Sequence, residues 1–110
     1  NIGAHYVEQG ISEEQDFEHL IPAARVRDML ISGHMTIDQA LNCPTVNLSR
    51  HKHTALKQAG WASHTPDMWR PFRRYTQVFT AKYQTYDGTE IDPETWTLED
   101  HYRYFNHLII

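Results

Sequence analysis

Glu18 and His19 stand side by side in "DFEHLIPAARV", residues 16–26, two apolar residues ahead of Pro22. His51 and His53 follow in "RHKHTALKQAG", residues 50–60, interleaved with Arg50, Lys52 and Lys57. Carboxylate, imidazole and nearby cations are the groups that metal-assisted phosphodiester hydrolysis requires. A neutral imidazole accepts a proton from water near pH 7. A divalent ion stabilises the charge growing on the scissile phosphate and on the leaving oxygen. An Asn side-chain carbonyl can accept the far N–H of the base imidazole and hold its ring. Asn42 and Asn47 compete for that place. His51 and His53 lie two apart, so on a helix they point about 200° from each other. One ion therefore takes only one of them unless the helix begins between them.

The elements that must position these groups can be read from pattern. "FEHLI" is expected to be a short strand ended by Pro22, and "PTVNLS" a second, with Val46 and Leu48 alternating against polar neighbours. "AARVRDMLISG" reads as a helix with Ala23, Val26 and Leu30, joined by Ala24 and Ile31, on one face and Gly33 at its C-cap. "TIDQALNC" reads as a short helix or turn capped by Thr36. "RHKHTALKQAG" reads as a helix ending at Gly60. Ser12 with Gln15 suggests a capping box for a short helix or turn ending near Asp16. Residues 61–75 should be an ordered loop followed by a turn or short helix. "TQVFTAKYQTY" fits strand or helix, with helix favoured. Asp87-Gly88 marks a turn, and a last helix should open behind Thr97, with Leu98, Tyr102, Phe105 and Leu108 on one face. The expected class is α+β in a single domain over residues 1–110.

Charge is unevenly spread around a net −4. Residues 50–82 hold seven basic side chains and one acid, Asp67, whereas residues 8–18 hold five acids and residues 87–100 hold six, with no Lys or Arg in either. A basic middle between acidic ends can present one phosphate-binding face, or it is an ordinary solvated surface. "WRPFRRY" could meet nucleic acid by stacking and charge, or pack its aromatics and expose its arginines. The single cysteine, Cys43, excludes an intramolecular disulfide and any site built on several thiolates. A metal would depend on His, Asp and Glu. No run approaches the roughly 18 apolar residues of a membrane span, and no signal peptide is visible. A chain opening at Asn1 rather than Met is expected to be an excised domain or a mature product.

"EHLIP" followed by "LNCPTVNLSRHKH" resembles the HNH or ββα-metal nuclease superfamily. The nearest flavour is the nuclease toxin domains at the C-termini of bacterial polymorphic toxins, related to the colicin DNases. The acid–His pair before an apolar-apolar-Pro step, Asn42 just ahead of a strand, and His51 nine residues beyond Asn42 carry the resemblance, which spans residues 16–57. It implies a β-hairpin-and-helix metal core with additional helices around it. It implies His19 as general base, Asn42 as the residue that orients it or shapes the metal loop, and Glu18 and His51 as ligands of one divalent ion, Mg, Mn, Ni or Zn. His53 is a second candidate ligand or a phosphate contact. Arg50, Lys52, Lys57, Arg73 and Arg74 would hold nucleic acid, with DNA the expected polymer. The resemblance further implies a secreted effector acting in the cytoplasm of a target bacterium, and a cognate immunity protein as partner. This chain departs from the pattern in its long interval between His19 and Asn42, which accommodates an inserted helix, and in its acidic net charge.

Two other classes compete. A nucleic-acid-binding module without catalysis would use the 50–82 stretch and need no His19. An interaction protein, such as an immunity protein or inhibitor, would use the acidic ends and need no metal.

Overall fold

Val46 and Leu48 do alternate as a strand, and that strand organises the sheet around it. The computed structural model describes residues 4–11, 14–61 and 64–106. Its strands are β1 (Tyr6–Glu8), β2 (Gln15–His19), β3 (Thr45–Ser49), β4 (Tyr83–Thr85) and β5 (Glu90–Ile91). They form one sheet in the order β2-β3-β1-β4-β5, with β1 and β3 parallel and the other neighbours antiparallel. The helices are α1 (Ala23–Ile31), α2 (Ile37–Leu41), α3 (Arg50–Gln58), α4 (Arg73–Thr76) and α5 (Leu98–Tyr104). This is a mixed α+β architecture. Among the described residues, no helix is long and apolar enough to cross a membrane.

Register decides which side chains share a face, because successive strand residues point to opposite sides. Pairing of Asp16 with Leu48, Glu18 with Val46, Tyr6 with both Val46 and Thr85, and Glu8 with Tyr83 places all of these on one face. Leu56 of α3, Tyr75 of α4, and Phe72 and Phe105 beside the helices cover it and complete the main core. Phe17, His19, Thr45, Asn47, Val7 and Gln84 occupy the other face. A smaller cluster of Ile21, Met35, Cys43 and Leu98 seats the α1–α2 insertion against α5.

Local chemistry sets several helix ends. Thr36 and Thr97 each form a reciprocal capping box, with Gln39 and Asp100. Each box satisfies two backbone donors that a helix start would leave unpaired. At the end of α3, Gly60 adopts φ 85, and Trp61 N–H reaches back to Leu56 O at 3.1 Å. This is the Schellman closure that favours glycine.

Three expectations need correction. Residues 77–82 leave the helix and 83–85 form β4, because Tyr83 and Thr85 bury against β1 and tertiary pairing outweighs local preference. The face of α1 that meets the protein carries Val26 and Met29 rather than Leu30, which is 36% exposed, and Ile31, 79% exposed. Gln15 begins a strand, so no helix reaches Asp16. Ser12, with its proposed capping role, and Leu108 lie outside the described residues.

Candidate functional site

The centre of the site is a contact between β2 and α3. Strand alternation turns Glu18 inward toward the core face, where its side chain is 11% exposed. α3 starts directly after β3 and packs over β2 and β3, which brings His53 down onto Glu18. His53 Nδ1 and Glu18 Oε2 form a hydrogen bond across 35 residues of sequence. His53 is 32% exposed, so the ring reaches solvent. The other carboxylate oxygen, Oε1, faces Arg74 Nη2 at 3.6 Å. That separation is an ion pair rather than a hydrogen bond. Tyr75 lies close by, and its phenol pKa is raised well above the usual value, first by complete burial and then by the charge of Glu18.

His19 leaves the strand on the opposite side from Glu18. Its ring is exposed and sits edge-on to Phe17, with centroids 5.4 Å apart. β2 is an edge strand, so both of its faces open onto one rim of the molecule. His51 projects from the exposed side of α3 beside Glu14, Arg50 and Thr54. The 200° separation along the helix thus gives His53, not His51, to Glu18. Asn42 forms the C-cap of α2. Its Nδ2 donates to Asp38 O at 2.8 Å, and its own carbonyl accepts from His101 Nε2 at 2.7 Å. No hydrogen bond joins Asn42 to His19 among the described residues. Asn47 shares the His19 face and is buried there between Val7 and Phe17.

The five cations expected to hold nucleic acid separate into different roles. Arg74 is almost completely buried and donates to the carbonyls of Trp61, His19 and Leu20, so it is removed from any surface contact. Lys52 pairs with the buried Glu8, which also accepts Ser49 N–H at the start of α3. Arg50 pairs with Asp16 and Glu14, and these carboxylates raise its pKa, Asp16 most strongly. Lys57 is exposed one helical turn beyond His53. Arg73 is half-buried in α4. No family model, curated protein or solved structure matches this chain.

The structural roles of two groups escaped the sequence reading. His101 is fully buried on α5, where Tyr6 O–H donates to Nδ1 at 2.7 Å and Nε2–H donates to Asn42 O. Tyr6 Oη in turn accepts from Trp96 Nε1–H at 2.8 Å. Neutral imidazole satisfies every partner in this chain, and burial lowers the His101 pKa to about 3. Arg74 is the second. "RPFRRY" writes two arginines side by side, and only the burial of Phe72 and Tyr75 decides which one turns inward.

Glu18 and His53 are the residues here that could hold a cation, with water completing its shell. His53 Nδ1 is engaged by Glu18 Oε2, so an ion at this point would take the ring through Nε2, with the carboxylate orienting the ring from behind. Magnesium and its relatives commonly take only one or two protein ligands and keep several waters. Among the described residues, no group of three or more His, Cys, Asp or Glu side chains is gathered for a metal.

Proposed function

We propose that this domain hydrolyses the phosphodiester bonds of nucleic acid, DNA being the expected polymer, at the Glu18–His53 contact with one divalent cation. The observation that carries the reading is that contact. Glu18, an expected ligand, and His53, the second candidate after His51, meet in the folded chain, one on a strand and the other on the helix that follows its antiparallel partner. The cation, when bound, would stabilise the negative charge that develops on the phosphate. His19, on the exposed rim of the same edge strand, would accept the proton of the attacking water. Lys57 and Arg73 would pair with backbone phosphates on the strand's approach. Action as a bacterial effector countered by an immunity protein belongs to the same proposal and rests on the sequence resemblance.

The test is cleavage of plasmid DNA and of a labelled RNA by the purified domain with Mg, Mn, Ni or Zn, and with EDTA. Metal-dependent cleavage should fall by about 10²-fold or more in His53→Ala and in His19→Ala. A domain that cuts neither polymer with any of these ions is not a nuclease, and the interaction-protein reading would replace this one. A second reading is favoured by Arg74, a cation already beside Glu18. In it Glu18 orients His53 as a metal-free acid–base, and the substrate is RNA, whose 2′-hydroxyl supplies the nucleophile. Cleavage of RNA but not DNA that persists in EDTA would select it.

A further inference from the structure

Arg74 is 1% exposed at its side chain, an uncommon place for a guanidinium. A buried cation is strongly disfavoured unless hydrogen bonds and a counter-charge replace its water. Here both are present. Nε donates to Trp61 O at 2.7 Å, and Nη1 donates to His19 O at 2.8 Å and to Leu20 O at 3.2 Å. Nη2 faces Glu18 Oε1 at 3.6 Å. Glu18 holds His53 through its second oxygen. Guanidinium, carboxylate and imidazole therefore form one line from interior to surface, at 1%, 11% and 32% exposure.

We infer that Arg74 is a positioning residue, which fixes the Glu18 carboxylate and through it the ring of His53. A guanidinium is a planar fork, so three carbonyls on two of its nitrogens also set the direction of the third. Those carbonyls come from the end of β2 and from the residue that closes α3. The same group thus ties the strand bearing Glu18 to the helix bearing His53. A lysine at this position would keep the charge and lose the fork. The role adds a residue to the machinery of the proposed nuclease and rests on that reading for its effect on rate. The geometry itself does not depend on that reading.

The experiment compares the wild-type chain with Arg74→Lys, Glu18→Gln and, as a control for stability alone, Phe105→Leu in the distant part of the core. Ring-nitrogen NMR of His53 and cleavage kinetics are read on each. Arg74→Lys and Glu18→Gln should both move the His53 ring-nitrogen resonances. Both should also lower kcat by roughly 10–100-fold with KM within about threefold. Phe105→Leu should lower the melting temperature and leave both readouts as in the wild type. Unchanged His53 resonances in Arg74→Lys, or equal losses of kcat in Arg74→Lys and Phe105→Leu, would overturn the assignment. Should Arg74→Lys not fold, Glu18→Gln decides through the Arg74 Nε–H resonance. That signal moves if guanidinium and carboxylate are coupled, and its constancy would overturn the inference. A wild-type chain that cleaves nothing removes the nuclease reading, while the resonance comparison still decides the role of Arg74.

Discussion

Lys52 and Lys57 sit on the same helix, one charge type in two environments. Lys52 is 19% exposed and pairs with Glu8, whose side chain is 4% exposed. Removing the ammonium leaves a buried carboxylate that, among the described residues, keeps the Ser49 N–H at 3.0 Å. Lys52→Ala should therefore cost about 1–3 kcal/mol in urea unfolding, with little direct effect on nucleic-acid affinity once the protein is folded. Lys57 is exposed on the His53 side of α3. Lys57→Ala should leave the unfolding midpoint nearly unchanged. If the proposed phosphate face is correct, oligonucleotide binding should weaken and the slope of log affinity against log salt should fall by about 1. Binding insensitive to Lys57 would relocate that face.

α3 is the element on which the site depends most, and its C-terminal closure matters as much as its start. Gly60 at φ 85 turns the chain so that the Trp61 carbonyl meets Arg74 Nε. A Cβ at Gly60 would meet nothing within 4 Å, so the cost of Gly60→Ala is backbone conformation alone. That cost is about 1–2 kcal/mol in the left-handed region. The variant should show this loss in thermal or urea unfolding and, if Arg74 positions His53, a shift of the His53 ring resonances as well. A stability loss with those resonances unmoved would mean that Trp61 and the Glu18–His53 pair are independent. Its first turn carries Arg50, tied to Asp16 and Glu14 across the rim. These exposed pairs add little to stability, and their expected effect is on local order at the edge strand.

For the whole molecule, acid sensitivity follows from two histidines that the fold keeps neutral. Burial lowers the pKa of His5 to about 4 and of His101 to about 3, against 6.5 when exposed. The unfolded chain therefore binds these protons at a higher pH than the native one. The stability contributed by neutral burial is complete above pH 6.5 and is lost as pH falls through 6.5 toward 4 and 3. His101 contributes a slope of up to about 1.4 kcal/mol per pH unit in that window, and the partly buried His5 contributes less because solvent screens it. Urea midpoints at constant ionic strength should be flat from pH 8 to 7 and decline from pH 6 to 4.5, and a flat profile to pH 4.5 would contradict the burial of both rings. Protonation of His101 would also put N–H against the Tyr6 hydroxyl, which already accepts from Trp96.

Much of the architecture was legible in the residues themselves. Val46 and Leu48 in alternation, Thr36, Gly33, Gly60 and Asp87-Gly88 each specify a local backbone geometry, and strand, caps and turns appear at those positions. Sequence also nominated Glu18 and His53, because residue type alone determines which groups can hold protons or metals. It could not choose between His51 and His53, or foresee that Arg74 is interior and Arg73 is not. It did not reveal that His101 closes a buried hydrogen-bond chain to Tyr6 and Trp96. Those outcomes depend on contacts made across 35 residues between His53 and Glu18, 55 between Arg74 and His19, and 95 between His101 and Tyr6. Local sequence sets periodicity and end geometry. Only packing of the helices on the sheet decides which side of each element faces inward, and with it which charges are neutralised and which reach solvent.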